Sequence, residues 1–361
     1  MADRFDIAIV GAGMAGASLA AALGGKAQVL LLEAEERPGY HATGRSAAFW
    51  VESYGGPGVQ PLTSASGPFL QAGGFLAPRG ALTIAHTGQE RDIESFAERF
   101  ARLGVRIDTL DRAGLERRID GLRPGWTLGV LEPDCCDIDV AGLHQHYLAA
   151  ARRGGAQLEC RARVAGATLS TQGWRLDLED GREMRSRILV NAAGAWADCL
   201  ARSAGVRPLG IAPLRRTIAQ LRVAPEVRED LPLVLDIAER FYFKPEAGRL
   251  WLSPHDETPS PPCDAAPEEI DVAAAIARME EVVDWRVERV EHRWAGLRSF
   301  APDRLPVFGF APDVPQFFWF AGQGGFGIQT APAAAELAAR LLLGESGGAI
   351  DPKSYAPDRF F

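Results

Sequence analysis

Lysine is nearly missing from this chain. Of 39 basic residues only Lys26, Lys244 and Lys353 are lysines, and the rest are arginine. A single arginine is therefore a weak signal here and gains meaning only from its company. Positive charge as a whole is also short: Asp and Glu number 47 and the formal net charge is −8. That balance argues against a nucleic-acid or anionic-membrane surface as the main business. The five cysteines (Cys135, Cys136, Cys160, Cys199, Cys263) are odd in number and show neither metal-ligand spacing nor a disulfide framework. They read as reduced and mostly structural, in a cytoplasmic protein. His144 and His146 lie two apart on an expected helix and face different ways, so no metal pair is expected.

No run reaches the roughly 18 apolar residues that a membrane span needs. The apolar N-terminal stretch is interrupted by glycines and lacks a basic leader, so no secretory signal is expected either. Internal repeats and long disordered tracts are absent. With 361 residues, 47% hydrophobic and 24% charged, the composition suits a soluble globular enzyme of about two domains.

The chain opens with "DIAIV" (6–10), an apolar run of strand length. Gly11-Ala12-Gly13-Met14-Ala15-Gly16 follows, then the helical pattern "ASLAAALGG" and a second buried strand, "AQVLLLE" (27–33). Strand, glycine turn, helix and strand make a βαβ unit and imply a parallel sheet. The segment 57–137 reads as Gly/Pro-rich turns and short strands such as 80–86, with one charged helix over 90–104. Asp139 is a plausible N-cap for a helix over 140–153 that Gly154-Gly155 ends. A hairpin-rich layer then returns to a buried strand, "RILVNAAG". After Pro213 a period near two reappears in "RTIAQLRV" and "RFYFKPEAGRLWLSP", as in an antiparallel sheet with one wet face. A helix over 268–283 follows, and the chain ends in strand, glycine loop and helix.

These pieces predict an α/β (α+β) fold: a discontinuous Rossmann-like domain from 1–78, 138–212 and 299–361, and a smaller antiparallel domain from 79–137 and 213–298. Gly11, Gly13 and Gly16 form Gly-x-Gly-x-x-Gly between a strand and a helix, where the backbone, including Ala15 at the helix start, can approach a pyrophosphate. Glu33 ends the second strand 22 positions after Gly11, near the spacing of an acid that binds ribose hydroxyls. Its charge disfavours a 2′-phosphate. The bland alternative is a tight turn without a ligand.

The fingerprint alone does not separate NAD from FAD. The stretch "HATGRSAAFWVESYGG" (41–56) leans toward FAD, because a longer cofactor needs more wall. Thr43, Gly44, Ala47 and Ala48 permit close approach, and Arg45 and Ser46 can donate to phosphate or flavin oxygens.

Together, "GAGMAGASLAAAL…LLLE…PGYHATGRSAAFW", "LVNAAGAWAD", "WAGLRSFAPDRLPVFG" and "GQGGFGIQT" resemble the FAD-dependent D-amino-acid oxidase and glycine oxidase superfamily, most of all the bacterial FAD-dependent D-arginine dehydrogenase type. The resemblance spans nearly the whole chain and implies a flavin between the two domains. It implies that Ala193, Gly194, Trp196 and Val164 line the cofactor, and that Gly325, Gly327, Ile328 and Gln329 form a loop whose following helix points at the flavin. It further implies that Arg216 and Arg298 hold a substrate carboxylate, helped by Tyr54 and Tyr242. The Gly325 carbonyl would accept from the substrate amine, with Gln329 nearby. FAD is expected to be non-covalent, since no cysteine lies in the C-terminal glycine loop.

The sequence departs from the arginine type at three places. Phe49, Val51 and Ala81 stand where that type has histidine, threonine and glutamate. A buried guanidinium without a carboxylate is heavily penalised, so Phe49, Val51 and Ala81 are expected to form an apolar side-chain pocket, and an apolar or small side chain is expected in preference to D-arginine or D-lysine. The implied reaction is hydride transfer to flavin N5, giving an imino acid that water converts to a keto acid and ammonia. A 2-hydroxy acid dehydrogenase, a glycine- or sarcosine-type amine oxidase and a flavin-binding protein without turnover stay open, with an NAD-dependent dehydrogenase behind them. The partners expected are a small amino acid and an electron acceptor left open between oxygen, a quinone and another carrier.

Overall fold

The computed structural model describes residues 4–361. The first few residues of the expected N-terminal segment, 1–3, lie outside them.

A parallel core sheet forms around Arg4–Val10, whose Ile9 lies between Leu31 and Val190 in register. Its neighbours are Val29–Leu32 and Glu183–Asn191, and the sheet continues to Gln157–Glu159 on one side and Phe317–Ala321 on the other. Such strands are buried on both faces, which is why they read as unbroken apolar runs. The helix Met14–Leu23 covers one face. Its alanines favour helix and let it lie close against Val140–Arg153 and Ala331–Leu343. Leu19 and Leu23 are fully buried there, each contributing about 1.5–3 kcal/mol of apolar burial. Asp139 caps Val140–Arg153 as expected, accepting from the Gly142 N–H at 2.8 Å.

The second large sheet is mostly antiparallel. Its spine is the pair Ala212–Ala224 and Arg286–Phe300, and it also takes in Tyr242–Glu246, Arg249–Ser253 and Ala81–His86. Gln323–Gly324 adds to its edge against Ser299 and Phe300. The C-terminal glycine loop, which leaves the parallel sheet at Ala321, is thereby tied to the antiparallel one.

Two helices were not legible in the expected turn-rich segment 57–137: Gln60–Ala72 and Arg112–Glu116. The first contains Gly67 and Pro68, which read as helix breakers. It forms because Trp50 lies over Gly67 and donates to the Thr63 carbonyl at 3.0 Å, so tertiary packing overrides local propensity.

Candidate active site

One continuous cavity of about 430 Å³ runs between the two large sheets. Gly11, Gly13, Ala15, Glu33 and Val164 line one part of it. Glu33 is buried, and its carboxylate is fixed by the Ala12 N–H (3.0 Å) and the Glu35 N–H (3.0 Å). Each oxygen keeps a lone pair for a ribose hydroxyl. Thr43 covers the helix start, its hydroxyl accepting from Met14 N–H at 2.9 Å. Ala47, Ala48, Ala193, Gly194 and Trp196 continue the wall, and His41 packs on Trp196 with ring centroids 4.7 Å apart. A buried acid, a helix N-terminus and a wall of small residues fit an adenine dinucleotide. Gly16 and Gly44 stand behind this wall. Gly16 packs beneath the turn, and the Gly44 N–H closes onto the Gly39 carbonyl at 2.9 Å.

Arg45 borders the cavity but does not present its guanidinium to a phosphate or flavin. Nη1 donates to the Ala265 and Ala295 carbonyls (2.9 and 3.0 Å), and Nη2 pairs with Asp264, which also accepts from the Tyr40 hydroxyl at 3.0 Å. An acid and two carbonyls within reach take up the fork, so Arg45 ties the loop after the second strand to the antiparallel sheet. The Ser46 hydroxyl accepts from the Ala48 N–H at 3.0 Å, leaving its own hydrogen for a ligand.

The other part of the cavity is built by the long strand pair. Leu214 faces Arg298 in register and Arg216 faces Gly296, so Arg216 and Arg298 are diagonal neighbours on one face. Both side chains are nearly buried, at 5% and 11% exposed. Arg216 Nε donates to the Asp256 carbonyl at 2.8 Å, and Nη2 stands 3.4 Å from Glu257. Arg216 Nη1 is buried with no hydrogen-bond partner among the described residues. Arg298 Nη2 donates to the Tyr54 hydroxyl at 3.1 Å, and Nη1 stands 3.3 Å from Glu257. Burial, reinforced by the like charge of Arg216, lowers the pKa of Arg298. At Arg216 the burial cost is outweighed by Tyr54, Tyr242, Asp256 and Glu257.

Phe49 meets Tyr54 and Tyr242 edge to face, at 5.0 and 5.7 Å between centroids, and Ile218 completes the apolar wall. Tyr242 lies beneath Arg216, 5.9 Å from its guanidinium carbon. Gly325, Gly327 and Ile328 of the C-terminal loop close the far side.

Three expectations about this end need correction. Gln329 borders the cavity, but its amide is fully engaged. The two Nε2 hydrogens are shared among the carbonyls of Val51 and Tyr54 (both 3.2 Å) and the Thr63 hydroxyl (2.9 Å), while Oε1 accepts from the Val51 N–H at 3.3 Å. It positions the turn that carries Tyr54, and neither Nε2 hydrogen is left for a substrate. Val51 and Ala81 do not line the cavity. They are buried behind Phe49 with Cys135 and Leu233, because the turn at Val51 ends the strand alternation and Ala81 sits mid-sheet between Leu233 and Glu132.

Several residues of the site escaped the sequence reading. Ile218 lies two positions after Arg216 on the same strand face and was legible from period two alone. Asp256 and Glu257 lie in an irregular stretch that gives no period. His255 packs edge-on against Tyr242 at 5.7 Å. Burial, with the charges of Arg216 and Arg298, pushes its pKa down to about 2, so the ring is neutral at working pH.

Glu132 was missed as well. Its carboxyl is bound by the Ser53 hydroxyl and the Ser53 N–H, one residue from Tyr54, and burial raises its pKa to about 7 from the ordinary 4.5. The folded state therefore holds this proton more tightly than the unfolded one. Its stabilising effect is complete below about pH 4.5 and is lost as pH rises through about 7. We expect Glu132→Gln to remove a stability decline on the order of 3 kcal/mol between those limits. Melting temperature against pH measures it: the variant's profile should be flatter than that of the parent, and parallel profiles would contradict the assignment.

A sequence profile of the family described as FAD dependent oxidoreductase matches residues 6–341. Among curated relatives, hydrogen cyanide synthase subunit HcnC of Pseudomonas aeruginosa is 27% identical over 256 residues, covering 69% of this chain and 59% of that protein. A glycine oxidase of the same organism is 29% identical over 178 residues, covering 48% and 46%. The matched stretches thus span about half the length of these relatives. Among solved structures, glycine oxidase from Geobacillus kaustophilus superposes with a TM-score of 0.86 at 23% identity over 99% of both chains. L-proline dehydrogenase from P. horikoshii superposes at 0.87 with 19% identity, over 100% of this chain and 98% of that one. These likenesses cover the whole mixed α/β fold, the Rossmann-like sheet and the antiparallel sheet together, and the profile covers nearly all of the chain. The chain belongs to the FAD dependent oxidoreductase family, with FAD as its cofactor.

Proposed function

We propose that this protein oxidises a small or apolar amino acid, of the D series or glycine-like, to the imino acid, which water converts to the keto acid and ammonia. The observation that carries the reading is the pair Arg216 and Arg298, which both line the cavity, with Arg216 Nη1 buried and without a hydrogen-bond partner among the described residues. A desolvated guanidinium donor calls for an anion, and a carboxylate matches the fork. Bound FAD would supply the two-electron acceptor.

The chain's own residues do the positioning. Arg216 and Arg298 pin the carboxylate, and Tyr54 is held toward it by its bond to Arg298. The Gly325 carbonyl is the acceptor proposed for the amine. Two nearby guanidiniums disfavour an ammonium, so the amine binds neutral with its lone pair free. Phe49, Tyr242 and Ile218 receive the side chain and exclude water. With His255 held neutral by a pKa near 2, no acid–base partner is required of it; orientation carries the step. Among the described residues this end of the cavity offers no carboxylate to a second cation, which disfavours D-arginine and D-lysine and leaves the arginine-type assignment unsupported. The glycine oxidase relatives favour a short substrate; the carboxylate clamp by itself would also hold a 2-hydroxy acid.

Mixing the yellow holoprotein anaerobically with D- and L-amino acids, glycine, N-methylglycine and 2-hydroxy acids separates these readings. Bleaching by apolar D-amino acids or glycine is expected, with D-arginine far slower. Bleaching by hydroxy acids alone would overturn the amine reading. Cys199 and Cys263 border the cavity, so non-covalent binding has its own check: acid precipitation should release all the flavin into the supernatant, and yellow pelleted protein would show a covalent link.

A further inference from the structure

Glu257 stands behind the arginine pair, outside the cavity wall. One carboxylate oxygen accepts from Arg304 Nη2 at 2.7 Å and faces Arg216 Nη2 and Arg298 Nη1 at 3.4 and 3.3 Å. Beside it, Asp256 accepts from the Thr217 N–H (2.7 Å) and hydroxyl (3.0 Å), with Oδ1 3.9 Å from Arg216 Nε. Three guanidiniums therefore meet two carboxylates, and the cluster keeps one positive charge for whatever enters the cavity.

We propose that Glu257 is a specificity-determining residue: by neutralising one guanidinium from outside the cavity, it sets the site to accept a ligand with one carboxylate and to disfavour one with two. This rests on the carboxylate clamp described above. A monoanion balances the remaining charge. A dianion leaves one negative charge uncompensated against Phe49, Tyr54, Tyr242 and Ile218, where burial makes an unpaired charge costly. Replacing Glu257 by its neutral isostere leaves the cluster at plus two, which a dianion matches.

Propionate and succinate, titrated into the holoprotein and read by the visible absorbance of the bound flavin, test this. The parent should bind propionate more tightly. Glu257→Gln should move the affinity ratio toward succinate by roughly tenfold, while the charge-conserving Glu257→Asp should not. Arg304→Gln, at a half-exposed position, removes a positive charge and should move the ratio the other way, by roughly threefold because solvent screens it. An unchanged ratio in Glu257→Gln, or the same shift in Glu257→Asp, would overturn the proposal. If Glu257→Gln does not fold, the sign of the Arg304→Gln shift decides. A parent that binds neither acid would instead remove the clamp itself, and the role of Glu257 with it.

Discussion

Replacing Arg298 with methionine will lower kcat/KM for the amino-acid substrate by roughly a thousandfold while the protein stays folded and yellow. The guanidinium is withdrawn from water among Tyr54, Phe300 and Phe326, whose rings lie 5.0–5.8 Å from its central carbon. In that setting a charge-assisted pair with a carboxylate is worth about 3–5 kcal/mol when one partner is removed. Methionine keeps much of the apolar volume, and Glu257 retains Arg304, so the fold has little reason to fail. Residues of the dinucleotide part, Gly11, Thr43 and Glu33, are untouched. Steady-state kinetics beside a flavin spectrum read both halves. A loss of less than about tenfold would place the substrate acid away from Arg298.

A single methyl group at Gly325 should act almost as strongly through the same side chain. A Cβ there would sit 1.9 Å from Arg298 Nη2 and 2.2 Å from Nε. These atoms are the end of a flexible side chain, so the backbone holds and the guanidinium swings aside. We expect Gly325→Ala to raise KM by roughly a hundredfold, from the loss of about 2–3 kcal/mol of oriented hydrogen bonding. Its melting temperature and flavin content should match the parent. An unchanged KM would show that Arg298 reaches the substrate from another position.

The parts of this site that were legible in the sequence are those that a local rule dictates. The turn Gly11–Gly16 and the acid Glu33 are fixed by one βαβ unit, so spacing alone placed them. Arg216, Arg298, Tyr54 and Tyr242 came from resemblance, since their meeting depends on the register of strands distant in sequence. Arg45 was misread because Asp264, its partner, lies more than two hundred positions away. Gln329 was given to the substrate because its backbone clamp on Val51 and Tyr54 is a tertiary feature. The stretch His255-Asp256-Glu257 was silent for a physical reason: it is irregular, with His255 at φ +55, and no hydrophobic period runs through it. Helix Gln60–Ala72 was lost for a different reason: Gly67-Pro68 reads as a break, and the packing of Trp50 that overrides it is a tertiary feature. Among the described residues no helix is long and apolar enough to cross a membrane.

The central claim is that an acid group is held by Arg216 and Arg298 together. A crystal structure of the holoprotein with benzoate, an unreactive monocarboxylate, tests it most directly. The account predicts the two carboxylate oxygens within hydrogen-bond distance of Arg216 Nη1 and the Arg298 guanidinium, with the ring against Phe49 and Tyr242. Benzoate seated elsewhere, with Arg216 Nη1 bonded to protein or turned from the cavity, would contradict it.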